Sequence, residues 1–128
     1  SSRRKGRVKM KVIYRGNPER RETLLRELAR ILKIMGEIPT IQKVILFGSL
    51  VSGEVGIKSD LDLLVIQETE QRPLARVEAL MQRINPRVAT DILVYTPAEF
   101  TRLLEQPNQF MARVLETGRV VYERQHCQ

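Results

Sequence analysis

Residues 47–66, FGSLVSGEVGIKSDLDLLVI, contain two acidic side chains at the beginning of an apolar segment. Asp60 and Asp62 are separated by one residue, and four apolar residues follow them directly. Successive side chains of a strand point to opposite faces, so both carboxylates lie on one face if this segment is a strand. The two carboxylates then repel one another, and burying an unpaired carboxylate is costly. A compensating positive charge is therefore expected beside Asp60 and Asp62.

A divalent metal ion is one candidate for this positive charge. Mg²⁺ prefers oxygen ligands and is commonly held by one or two carboxylates together with substrate phosphates. A bound metal also keeps the acids ionised. Asp91, within a third apolar segment at residues 88–96, is the candidate third ligand. Taken alone, an Asp-x-Asp pair is also compatible with a solvated strand end, and a single strand Asp such as Asp91 with a structural role.

Gly48 and Ser49 follow the apolar run 44–47 and are candidates for contact with phosphate. A glycine lets the backbone approach a ligand closely, a serine adds a hydroxyl donor, and a helical turn beginning at Ser49 would direct N–H groups at an anion. Taken alone, Gly-Ser is also an ordinary turn. Ahead of the Asp60–Asp62 pair, however, it indicates phosphoryl or nucleotidyl transfer, in which positioning and charge neutralisation supply most of the catalysis.

The hydrophobic pattern of the rest of the chain predicts helices that alternate with short strands. Thr96 and Glu99 have the spacing of a capping box at the start of one helix. Phe100, Phe110 and Met111 fall on apolar helix faces and are expected in the core. The predicted helices are 18–35, 70–84, a short one from 97, and 107–117, and the predicted strands are 44–47, 61–66, 88–96 and 119–123. This alternation indicates an α/β (α+β) fold with a small mixed β-sheet flanked by helices.

The 128 residues are expected to form one domain at 17–124, with a basic N-terminal arm at 1–16 and a short tail at 125–128. Seven of the 22 lysines and arginines lie in the arm, which has no acidic residue, and the other 15 balance the 15 acidic residues. The net charge of +7 therefore belongs to the arm. Such an arm either contacts phosphates, nucleic acid or an acidic partner, or is a poorly ordered, solubilising terminus.

Composition also indicates where the protein acts. No stretch approaches the roughly 20 apolar residues of a membrane span, and the N-terminus lacks the apolar core of a signal peptide. The single cysteine, Cys127, allows no internal disulfide, which favours a reducing compartment. We therefore expect a cytoplasmic protein without a membrane partner, and we interpret His126 and Cys127 as exposed tail residues.

The order of these motifs resembles that of the nucleotidyltransferase superfamily that includes DNA polymerase beta and kanamycin nucleotidyltransferase. The family pattern is a strand, Gly-Ser, a short loop containing Gly, Ser-Asp-x-Asp running into an apolar strand, and a third acid on a later strand. Over about residues 20–123 the chain is most similar to the minimal nucleotidyltransferases that are often paired with HEPN-domain proteins. The matching residues are Leu46-Phe47-Gly48-Ser49, Gly53, Ser59-Asp60-Leu61-Asp62-Leu63-Leu64-Val65 and Asp91.

The resemblance implies a nucleotidyltransferase fold and an enzyme that uses Mg²⁺, in a two-metal site, with ATP or another nucleoside triphosphate. The catalytic and metal-binding residues that it implies are Asp60, Asp62 and Asp91, and the nucleotide-binding residues are Gly48, Ser49 and Ser59. Many members carry an arginine three residues after the motif serine, where this chain has Ser52. Lys58, just before the acidic pair, is the candidate substitute for this missing cation.

The reaction implied is transfer of a nucleoside monophosphate, AMP from ATP, to a hydroxyl group of a partner protein. The expected partner is a HEPN-type protein of a toxin–antitoxin pair in which this chain is the antitoxin. Its hydroxyl should reach the acidic pair, with Leu50 and Val51 as exposed apolar contacts. Two alternatives are a binding module that neutralises a partner by contact and a nucleotidyltransferase with a small, aminoglycoside-like acceptor. The sequence leaves the acceptor, the base and the oligomeric state undetermined.

Overall fold

The computed structural model describes residues 18–52 and 60–125 of the chain. The helices and strands in these residues are α1 (Pro18–Gly36), β1 (Ile41–Phe47), α2 (Ser49–Ser52), β2 (Leu61–Gln67), α3 (Pro73–Ile84), β3 (Thr90–Tyr95), α4 (Pro97–Glu105), α5 (Gln109–Thr117) and β4 (Arg119–Glu123). The basic arm, Gly53, Lys58, Ser59, His126 and Cys127 lie outside the described residues. Among the described helices, none combines the length and the apolar character that crossing a membrane requires.

The four strands form one mixed sheet in the order β3-β2-β1-β4. Strand β1 is antiparallel to both β2 and β4, whereas β2 and β3 are parallel. Parallel neighbours need a crossover connection, and α3 lies between β2 and β3 in the chain. The predicted α/β fold with a small mixed sheet flanked by helices is therefore confirmed.

Strand β2 lies at the centre of the core and is covered on both faces. Leu61, Leu63 and Val65 belong to a cluster with apolar residues of α1 and α3, whereas Leu64 and Ile66 belong to a second cluster with residues of α5. None of these five side chains is more than 4% exposed. A strand that is buried on both faces has a nearly continuous apolar sequence, which explains the run of apolar residues after the acidic pair.

Local capping sequences set the ends of two helices. Thr96 Oγ1 accepts a hydrogen bond from the Glu99 N–H at 3.2 Å, and the Glu99 carboxylate accepts one from the Thr96 N–H at 2.9 Å. This pair of bonds confirms the predicted capping box. The Asn108 side chain accepts a hydrogen bond from the Met111 N–H at 2.7 Å. Because Asn108 is the cap, α5 begins at Gln109, two residues later than predicted.

The predicted core position of Phe110 is wrong. Met111 is fully buried and Phe100 packs partly buried against the same cluster, as expected, but Phe110 is 42% exposed. Successive helix residues are rotated by about 100°. Since Met111 and Val114 face the sheet, Phe110 lies on the flank of α5.

Candidate active site

The parallel pairing of β2 with β3 places two of the candidate acids side by side. Asp62 pairs with Asp91 in the register of these strands, and neighbouring strands of a sheet lie about 4.8 Å apart. Asp60 immediately precedes the first residue of β2. The structure therefore brings Asp60, Asp62 and Asp91 together at the same end of two adjacent strands.

The three acids lie on the face of the sheet that α4 and α5 cover. Side chains alternate along β2, so Asp62 shares a face with Leu64 and Ile66. Leu64 and Ile66 pack against Met111 and Val114 of α5. Asp62 lies near the beginning of β2, beyond the apolar side chains that α5 covers, and it is therefore only partly buried. A ligand can therefore reach the carboxylates from the α5 side of the sheet.

The Asp62 carboxyl group lies in an environment that disfavours its charged form. Burial is the main cause, followed by the negative charges of Asp91 and Asp60, and together they raise the pKa of Asp62 from 3.8 to about 6. Both burial and nearby negative charge disfavour the ionised form of a carboxyl group. A cation bound beside it would reverse this shift.

Mg²⁺ suits this set of donors when phosphate supplies further ligands. Within residues 18–52 and 60–125, no three Asp, Glu, His or Cys side chains converge closely enough to hold a metal ion by themselves. Mg²⁺, however, is usually bound through one or two carboxylates, with waters and substrate phosphates in the remaining positions. The crowded Asp62 carboxylate and its neighbour Asp91 can supply such ligands, so the residues present fit a metal bound together with a phosphate group.

Gly48 allows the end of β1 to lie directly against Asp62. Its φ is +86°, a left-handed conformation that favours glycine, and a Cβ atom here would collide with the Asp62 carboxylate. Phe47, the preceding residue, pairs with Asp62 across β1 and β2. The sequence predicted that Gly48 lets a ligand approach the backbone. In the structure, the Gly48 backbone lies against the side chain of Asp62, a candidate metal ligand.

The one-turn helix α2 follows Gly48 and corrects one expectation. Ser49 is its first residue, and the Val51 N–H donates to the Gly48 carbonyl at 3.1 Å. Leu50 was expected to be an exposed partner contact, but it is only 4% exposed because it packs into the core cluster with α1. Val51 packs partly buried against the same cluster. These two residues therefore anchor α2 to the sheet.

A family comparison agrees with this geometry. The sequence model of the family described as Polymerase beta, Nucleotidyltransferase matches residues 27–127. The chain belongs to this family. The matched region contains β1, Gly48 and both acid-bearing strands, so the nucleotidyltransferase assignment covers every element of the candidate site. A comparison with curated proteins finds no match.

Solved structures share the nucleotidyltransferase fold. A Sulfolobus solfataricus protein assigned as a nucleotidyltransferase has a TM-score of 0.60 and 20% identity, over 84% of this chain and 86% of that one. A mutant of the toxin-antitoxin MntA-HpeT has a TM-score of 0.51 and 24% identity, over 76% of this chain and 72% of that one. A toxin-antitoxin with AMP-PNP has a TM-score of 0.51 and 22% identity, over 76% of this chain and 73% of that one. At sequence identities of 20–24%, this similarity shows that the chain shares the fold of these proteins and nothing further.

Two arginines near the site of this nucleotidyltransferase carry no sequence signal of their own. Arg21 Nη1 of α1 donates to the Leu50 carbonyl at 3.3 Å, so its guanidinium lies against α2. Arg113 of α5 lines a cavity beside Gly48. Both belong to amphipathic helices, in which charged residues are normally solvated. Only the folded arrangement shows that these arginines flank Gly48 and Ser49. Three residues after Ser49, the chain has Ser52 in place of the family arginine.

We predict that the contribution of Asp62 to the stability of the metal-free nucleotidyltransferase falls as the pH rises from about 4 to about 6. The pKa of Asp62 is about 6 in the folded protein against 3.8 in the reference state. Between these values the folded state binds more protons than the unfolded state, so the contribution of Asp62 is most favourable below pH 4 and is lost as the pH rises through 6.

The measurement is the free energy of unfolding by denaturant between pH 4 and 7 for the wild type and for Asp62→Asn. Glu27 and Glu99 have lowered pKa values, because Arg30 and Arg76 respectively hydrogen-bond to them, and they act in the opposite direction in both proteins. The difference between the two proteins isolates Asp62. An identical pH dependence in both would contradict the prediction.

Proposed function

We propose that this nucleotidyltransferase transfers AMP from ATP to a hydroxyl group of a partner protein, with Asp60, Asp62 and Asp91 as its catalytic acids. The observation that supports the proposal best is the register that sets Asp62 beside Asp91, with Asp60 one residue ahead of the same strand. Three acids at the ends of two adjacent strands form a compact negative patch, and Gly48 lies directly against it.

Each residue has a distinct role in this proposal. Asp60 and Asp62, with Asp91 as the third ligand, would hold Mg²⁺, which when bound supplies charge neutralisation for the triphosphate. Asp91 orients the acceptor hydroxyl and accepts its proton while the hydroxyl oxygen bonds to the α-phosphorus. The bond between that phosphorus and the bridging oxygen then breaks, and pyrophosphate leaves. Nucleotide binding is assigned, on the family resemblance, to Gly48, Ser49 and Ser59, with Lys58 as the candidate substitute for the missing arginine.

A partner protein is the acceptor that fits this chain best. The described residues form one sheet and the helices that pack on it, and they include no further layer that would hold an acceptor. Two of the similar solved structures are toxin-antitoxin complexes, and one of them contains AMP-PNP. These likenesses support a HEPN-type toxin as the partner and ATP as the donor, with this chain as the antitoxin.

One observation favours a second candidate function. Ser52 stands where many family members carry an arginine that helps to hold the triphosphate. With weakened nucleotide binding, the chain could neutralise its partner by contact alone. Arg21, whose guanidinium lies against α2, is a cation that could compensate for this loss. We therefore place catalysis first and contact-only neutralisation second.

Intact-mass spectrometry of the partner protein after incubation with this chain tests the proposal. The purified chain is mixed with the product of its neighbouring gene, ATP and Mg²⁺, and we expect the partner to gain the mass of one AMP or more. The control is the same mixture with Asp62→Asn, which should leave the partner unmodified. A partner that binds the chain but never gains mass would replace catalysis with contact-only neutralisation. Transfer to an aminoglycoside added in place of the partner would instead indicate an aminoglycoside-like acceptor.

A further inference from the structure

A cavity of about 390 Å³ lies between the end of β1 and the exposed flank of α5. Its walls are Phe47, Gly48, Phe110, Arg113, Val114 and Thr117. Gly48 also lies directly against the Asp62 carboxylate, so the cavity adjoins the acidic patch. The volume is within the range of small-molecule sites, about 300–1,000 Å³. The proposed mechanism gives this space no role.

Phe110 presents an aromatic surface that the fold does not use for its core. The ring packs edge-on against Phe47, with centroids 5.6 Å apart and planes at 83°. The side chain nevertheless remains 42% exposed, although Met111 beside it is completely buried. An aromatic ring that packs against a neighbour on one side and remains accessible on another is suited to stacking on a planar ligand.

The surroundings of Gly48 determine in which direction a bound nucleotide can extend. On the opposite face of the sheet, Leu50 fills the space after Gly48 and packs with α1. On the face that carries Asp62, the cavity is open and reaches Phe110. If the phosphates of a nucleotide lie between Gly48 and the acids, the rest of the nucleotide therefore has room to extend toward α5.

Arg113 gives the cavity a positive charge. It lines the cavity between Phe110 and Thr117, one helical turn from each. Among the residues that the structure describes, Arg113 has no ion-pair partner. A guanidinium can stack on a planar base or donate hydrogen bonds to acceptor atoms on a base or a phosphate. Charge and aromatic surface thus occur together, as in sites that bind nucleotides through stacking.

We propose that this cavity is the base-binding subsite, in which the nucleotide base stacks on Phe110 beside Arg113. The inference rests on the proposed function, since it needs the phosphates at Gly48 and Asp62. Stacking depends on overlap of ring area, so purine triphosphates bind more tightly than pyrimidine triphosphates. Loss of one base–aromatic stack lowers affinity by about 5- to 150-fold.

The test compares calorimetric binding of Mg-ATP and of Mg-bound inorganic triphosphate, which has no base. We expect Phe110→Ala to weaken ATP binding by about 5- to 150-fold and to leave inorganic triphosphate within about twofold of the wild type. Phe110→Leu keeps an apolar side chain but no aromatic ring, and it should lose ATP affinity in the same way. The matched control is Leu115→Ala, because Leu115 is 40% exposed on the same helix and does not line the cavity.

The outcomes separate this inference from the proposed function. If the wild type binds neither ATP nor inorganic triphosphate, the proposed function fails and the base subsite fails with it. If the wild type binds ATP and both Phe110 variants bind it equally well, only the base subsite is overturned. The same conclusion follows if the Phe110 variants keep ATP affinity but lose a protein partner, since the cavity then belongs to that partner.

Discussion

Asp62→Asn should abolish nucleotidyl transfer while leaving the metal-free protein at least as stable as the wild type. The substitution removes the charge beside Asp91 that the proposed Mg²⁺ site needs, and the rate should fall by at least about 100-fold, the scale of losing one preorganised electrostatic contact. The fold should persist because the charged form of Asp62 is disfavoured by burial and by Asp91 and Asp60. Removing that charge relieves repulsion without changing the size of the side chain.

Transfer rates with saturating Mg-ATP and denaturant unfolding of both proteins check this prediction. Glu116→Gln is the matched control, because it also neutralises one acid and Glu116 is an exposed residue of α5. The control should keep both activity and stability. Wild-type turnover in Asp62→Asn would refute the assignment of the acidic site.

Gly48→Ala should damage both the stability and the activity of the enzyme. A residue other than glycine at a φ of +86° costs about 1–3 kcal/mol. The added Cβ would also collide with the Asp62 carboxylate and displace it. Since misplacing a catalytic group by about 1 Å can cost on the order of 100-fold in rate, we expect a loss of activity of that order. Denaturant unfolding and transfer assays measure the two effects.

Gly36→Ala provides the matched control for this change. A Cβ at Gly36 would make ordinary contact with the Tyr122 ring at 3.6 Å, and Gly36 is a helical residue of α1. The substitution should therefore be nearly neutral or slightly stabilising. A double-mutant cycle sharpens the test, because in an Asp62→Ala background Gly48→Ala should retain only the cost of its backbone conformation. An unchanged cost in that background would show that the two residues do not touch.

Much of the fold could be predicted because its signals are local. The apolar run after Asp62 marks β2, since a strand covered on both faces needs no polar alternation. The Thr96 and Glu99 spacing marks the beginning of α4 through hydrogen bonds that span only three residues. The sequence did not predict the first three residues of β1, Ile41 to Lys43, because polar side chains interrupt the apolar pattern there. Pairing with the neighbouring strand, rather than composition, keeps these residues extended.

The candidate site could be predicted only in part, since its geometry depends on contacts between distant segments. The sequence identified Asp62 and Asp91 as candidates, but their adjacency is a property of the β2–β3 register. The role of Gly48 as a neighbour of Asp62 depends on the β1–β2 pairing. Arg113 gave no signal, and Phe110 was wrongly expected in the core, because helical periodicity does not show which residues of another segment lie beside the flank of a helix.

In the proposed mechanism, the position of β3 at the edge of the described sheet ties catalysis to local unfolding. Among the strands that the structure describes, the one that carries Asp91 is hydrogen-bonded to a single neighbour, whereas the one that carries Asp62 is paired on both sides. Edge elements open with less free energy than the centre of a sheet. If Asp91 acts as we propose, fraying of β3 would separate the two acids and stop the reaction while the remaining strands stay folded. A metal and nucleotide held by both strands would act as a clamp on this edge, so substrate binding and the order of β3 should rise and fall together.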